Sequence, residues 1–163
     1  MENDAKLMEI LRGLDDPEAP EWPVGYNDAE LAASVGRPAA HLGSVFSTHC
    51  AIEPDQDSAE YCRVVVPGPA TVCGTRIVVL VSNFSPLVMV AVENPGAFLG
   101  IDDARAEGGL DAGDLDTVQR VLAESGWVVI PEELLAHRYD GPTLMPFSGS
   151  AEPSWWDRFF GFR

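Results

Sequence analysis

At 163 residues, 46% hydrophobic and 22% charged, with four Trp and seven Phe, the chain has the composition of one globular domain and lies far from the disordered class. Ten Lys and Arg against 26 Asp and Glu give a formal charge of −16, a field that repels nucleic acid and anionic lipid and attracts a basic partner. An acidic start at Met1-Glu2-Asn3-Asp4, no apolar run of signal or transmembrane length, and three scattered cysteines (Cys50, Cys62, Cys73) point to a reducing, cytoplasmic setting.

In chain order, Asn3 or Asp4 is placed to cap a first helix, with Leu7, Ile10, Leu11 and Leu14 on one face. Gly13 and the Asp15-Asp16-Pro17 step end it. Three prolines and Gly25 make residues 18–26 irregular, with Trp22 expected to pin them to the core. Asp28 is then read as the cap of a short Ala-rich helix, Ala29 to Val35, stopped by Gly36 and Pro38. Residues 39–59 stay open, because Leu42, Val45 and Phe46 fit a helical turn or a strand; Glu53 to Glu60 is polar enough for a surface loop.

The strongest pattern runs from Tyr61 to Glu93. "YCRVVVP", the turn "GPA", "TRIVVLVSNF" and "PLVMVAVE" read as an antiparallel meander. Ile77 to Val81 does not alternate with polar residues, so the middle strand is expected to be covered on both faces. Gly100 to Asp116 forms an acidic loop. Asp114 is read as the cap of a helix with Leu115, Val118, Val121 and Leu122 on one side, ended by Ser125-Gly126. Trp127 to Ile130 is a short fourth strand, and Pro131 opens one more helical turn with Glu132 and Glu133. "YDG" at Tyr139 to Gly141 is a turn, followed by linker-like sequence to Pro153.

The chain closes on "SWWDRFFGFR". Ser154 and Asp157 have capping-box spacing, and Trp155, Trp156, Phe159, Phe160 and Phe162 fall within an arc of roughly 160°, leaving Asp157, Arg158 and Gly161 opposite. So short a helix is not stable alone and must dock, and the chain's own core is the favoured dock. The expected fold is a single α+β domain over residues 1–163: a small antiparallel meander of about four strands packed with several helices, closed by this amphipathic helix.

Tests for chemistry give little. His49 and Cys50 are adjacent, and on a strand adjacent side chains point apart, so a Cys-dependent enzyme is a minor alternative. The cysteine and histidine spacings lack the short pairs of a zinc site, and "EPDQDSAE" lacks the glycine and distal Glu of a calcium loop. No phosphate-binding glycine motif, cofactor-binding pattern or catalytic serine motif is present. Neither catalytic residues nor a metal or cofactor is therefore expected.

The order of "SNF" at Ser82 to Phe84, "ESGWVVIPEELL" at Glu124 to Leu135, "YDG" and "WWDRFF" at Trp155 to Phe160 resembles small bacterial immunity proteins. These are cytosolic partners that neutralise polymorphic or contact-dependent toxins. The resemblance implies a non-enzymatic inhibitor of a toxin domain, and the acidic charge suits a basic toxin such as a nuclease. Contacts are expected from Asp102, Asp103, Glu107, Asp111, Asp114 and Asp116, then from Glu53, Asp55 and Asp57. The alternative is a small acidic secretion chaperone that binds an extended client segment.

Overall fold

The computed structural model describes residues 2–18, 27–54, 60–84, 86–92, 106, 108, 110–143 and 153–160. Helix α1 spans Glu2–Leu14. Asn3 and Asp4 lie inside its first turn instead of capping it, since the helix begins two or three residues earlier than the capping pattern suggests. Leu7 and Leu11 are buried, whereas Ile10, expected on the same face, stays 37% exposed. Trp22 lies outside the described residues.

Helix α2 is the largest correction to the sequence reading. It runs Asp28–Val45 straight through Gly36 and Pro38, and its cap is Asn27, whose side chain accepts from the Glu30 N–H at 3.0 Å. Pro38 removes one ladder bond at a cost of roughly 3 kcal/mol. Against that, Leu31, Val35, Ala39 and Leu42 form one buried stripe over the sheet, and each large side chain contributes about 1.5–3 kcal/mol on burial. Tertiary burial outweighs the local signal. Of the segment left open between 39 and 59, the described part divides into the end of α2 and, beyond a turn, a strand, β1, at Ala51–Pro54. Glu53 and Pro54 thus belong to a strand and Glu60 to the next one instead of to the expected surface loop, and residues 55–59 lie outside the described residues.

The sheet has five strands in the order β1-β2-β3-β4-β5, with β2 at Glu60–Val66, β3 at Ile77–Ser82, β4 at Leu87–Val92 and β5 at Val128–Val129. The first four pair antiparallel, through Ala51 with Val65, Val66 with Ile77 and Ile77 with Val92. The predicted meander is therefore present, with β1 added on one edge. On the other edge β5 is shorter than the expected strand and pairs parallel with β4, Leu87 opposite Val128.

Every residue of β3 and β4 is buried. Alternation splits them between two cores: Val79, Val81, Val88 and Val90 face α2 and a helix α3 at Ala112–Glu124, while Val78, Leu80, Leu87 and Met89 face α1 and two short helices, α4 at Glu132–Leu135 and α5 at Trp155–Phe159. The result is a helix–sheet–helix sandwich of the α+β class. Among the described residues, no helix is long and apolar enough to cross a membrane.

One further boundary differs by a few residues. The N-cap of α3 is Asp111, not Asp114, and it accepts from the Asp114 N–H at 3.0 Å. Its end is as expected: Ser125 is the C-cap, and Gly126 follows at φ +85°, a left-handed conformation that glycine adopts without steric cost.

Candidate functional site

The aromatic C-terminus builds a dense constellation of rings and paired polar groups. Ser154 and Asp157 form a full capping box, the Ser154 N–H donating to Asp157 Oδ2 at 2.7 Å. Trp155, Phe159 and Phe160 are buried against Leu11, Leu80, Phe84, Leu87 and Met89, so the tail docks on the protein's own core. Phe84 and Phe159 meet edge to face at 5.1 Å, and Tyr139 meets Trp155 similarly at 4.7 Å.

Arg158 is not on a solvated face, as the helical arc predicts, but fully buried. Its Nε donates to Asp15 Oδ1 at 2.7 Å, and the guanidinium lies 4.6 Å from the Phe84 ring centre and 4.9 Å from that of Phe159. Asp157 is 8% exposed, because its carboxylate is occupied by the cap. Of the five residues of α5 all but the half-buried Trp156 are buried, and its polar residues enter the core because each has a partner.

Asp15 organises the rest of this cluster. Besides Arg158, it accepts from the Tyr139 hydroxyl at 2.6 Å and from Thr143 Oγ1 at 2.6 Å, while the Thr143 N–H donates to the Tyr139 oxygen at 2.7 Å. A Cβ on Gly141 would collide with the Asp15 carboxylate and the Tyr139 hydroxyl, so only glycine fits there. Ser82 Oγ donates to the Phe159 carbonyl at 2.6 Å and accepts from the Phe84 N–H at 3.0 Å. Sequence reasoning missed this network, because 143 residues separate Asp15 from Arg158 and no spacing rule connects them.

All four motifs behind the family resemblance converge here: Ser82 and Phe84 of "SNF", Ile130, Leu134 and Leu135 of "ESGWVVIPEELL", Tyr139 of "YDG", and Trp155, Phe159 and Phe160 of "WWDRFF". Their common work is to clamp the tail to one face of the sheet. Comparison with family models, with curated proteins and with solved structures found no match.

Of the expected contact residues, Asp102, Asp103, Glu107, Asp55 and Asp57 lie outside the described residues. Asp111 and Asp114 meet at the start of α3, with Asp116 one turn on around the helix; this end of α3 sits where β2 turns into β3, and the Val72 N–H of that turn donates to Asp114 Oδ2 at 2.8 Å. The bond fixes Val72, 72% exposed, beside the Asp114 carboxylate. Asp111 is engaged as a cap and Asp114 as the acceptor for Val72, which leaves Asp116 facing solvent. Glu53 does not join them. It stands opposite Arg63 on β1, the far edge of the sheet.

Cys50 is buried, and burial pushes its thiol up, the direction opposite to nucleophile activation; His49 next to it is exposed. Among the described residues, no group of three or more His, Cys, Asp or Glu is placed to hold a metal ion.

Proposed function

We propose that the chain is a cytoplasmic immunity protein that binds a basic toxin domain, such as a nuclease, and blocks it without chemistry of its own. The observation that carries this reading is the acidic start of α3 tied to the turn bearing Val72. It offers an exposed apolar side chain held beside a carboxylate, on a chain with a charge of −16. Complementary charge of this kind speeds association and rejects wrong partners, and an ordered turn spares the entropy of fixing it on binding. The ordered motifs of the clamp supply the family resemblance, and the raised Cys50 thiol gives no support to a cysteine enzyme.

Co-purification with the product of the adjacent reading frame tests the proposal. The expected partner is a folded basic domain whose activity is lost in the complex. A neighbour that is not bound, or that stays fully active when bound, overturns it.

One observation favours the secretion-chaperone alternative. Edge strand β1 has Ala51, Ile52 and Glu53 all exposed, so an extended client segment could add to it as a sixth strand. The same co-purification separates the two, since a chaperone holds its client extended.

A further inference from the structure

A groove of about 270 Å³ lies between the middle of α2 and the turn that joins α3 to β5, on the opposite side of α3's length from its acidic start. Its apolar walls are Pro38, Pro86 and Trp127, and its polar groups are Ser34, Arg37 and Ser125. The two hydroxyls are already committed as donors, Ser34 Oγ to the Glu30 carbonyl at 2.9 Å and Ser125 Oγ to the Val121 carbonyl at 2.9 Å. Each can therefore offer the groove only lone pairs. Arg37 is the one cation of the lining, and among the described residues no hydrogen bond or ion pair occupies its guanidinium.

A ligand that matches this lining needs an anionic acceptor for Arg37, an N–H or O–H donor for a serine oxygen, and an apolar group for the Trp127 and proline walls. The field of a chain at −16 opposes polyanions, which favours a single charge. We propose that the groove binds a carboxylate carried beside an amide N–H and an apolar side chain, the chemistry of an N-acylated amino acid, either free or at the C-terminal end of a peptide. The planar guanidinium takes the carboxylate bidentately, the amide N–H donates to Ser34 or Ser125, and the side chain lies on Trp127. This site is independent of the partner surface proposed above.

The test is an NMR titration of the intact protein with N-acetyl-leucine and with acetyl-Gly-Gly-Leu, each compared with its C-terminal amide. Binding is expected below about 10 mM, with shifts centred on Ser34, Arg37, Ser125 and Gly126, and with the amides at least about tenfold weaker. Arg37→Gln, at an exposed position, is expected to weaken both acids by about tenfold or more, and Ala33→Trp, which fills the groove from α2, to abolish binding. Equal binding of the two peptide forms points to a free acylamino acid of either size, and tighter binding of the longer acid points to a chain end. Acids and amides that bind alike, an unaffected Arg37→Gln variant, or no shift at these residues overturns the proposal.

Discussion

Asp15 and Arg158 form an ion pair whose side chains are 2% and 0% exposed, joining the end of α1 to the last helix. The two partners are not equivalent. Asp15 accepts three side-chain hydrogen bonds, from Arg158, Tyr139 and Thr143. Asp15→Ala takes the Asp15 carboxylate from a buried guanidinium that keeps its bond to the Asp16 carbonyl, together with the acceptor of Tyr139 and Thr143, and is expected to cost about 3–5 kcal/mol. Arg158→Met keeps two donors on Asp15 and the packing against Phe84 and Phe159, so its cost should be markedly lower. Urea unfolding of both single variants and the double variant measures the difference; equal losses would refute the asymmetry.

Deleting residues 153–163 uncovers the face of the sheet formed by Leu80, Phe84 and Met89. Loss of Trp155, Phe159 and Phe160 alone removes about 5–9 kcal/mol of burial, comparable with the whole stability of a typical domain. The truncated chain should be insoluble or unfolded by circular dichroism. A soluble truncation of native stability would show that the tail is not a clamp.

Gly141→Ala places a methyl group against the Asp15 carboxylate and the Tyr139 hydroxyl. An expected loss of about 1–3 kcal/mol, from overpacking and the displaced network, should appear as a lower denaturant midpoint with an unchanged slope.

Burial, followed by the hydrogen bond to Asp15, raises the Tyr139 hydroxyl above the ordinary tyrosine value of 10.0. The raised value lies in the folded state, so the stability it contributes is complete below pH 10 and is lost as pH climbs through the folded value. Thermal melts between pH 8 and pH 11 should therefore show a decline at the alkaline end that Tyr139→Phe makes shallower; parallel curves would count against it.

At the acidic start of α3, stability and recognition should separate. Asp111→Ala removes the N-cap and is expected to cost about 1 kcal/mol. Asp116→Lys, which breaks no described bond, should leave the melting temperature unchanged yet slow association with a basic partner, and added salt should shrink that effect. Stopped-flow association rates at two ionic strengths test this.

What could be read from the sequence follows the range over which the causes act. The apolar runs of β3 and β4, the stop at Ser125-Gly126, and the capping box at Ser154 and Asp157 are set by neighbours a few residues away, and each stands where its pattern puts it. Pro38 within α2 and Arg158 within the core break their local rules because distant groups decide them: the sheet surface beneath α2 in one case, Asp15 in the other. The site was only partly legible for the same reason. The carboxylates at Asp111, Asp114 and Asp116 are visible as composition, but Val72 joins Asp114 through a bond across 42 residues.

The clamp also sets an order on biosynthesis. Asp15 emerges early, whereas Arg158 and the aromatic residues around it are added 143 positions later, so the face of the sheet that they cover stays open to solvent while the chain is still being made. A nascent or prematurely ended product carries Leu80, Phe84 and Met89 uncovered, the kind of surface that chaperones and proteases recognise. Completion of the chain through Phe160 is therefore what covers this face of the sheet.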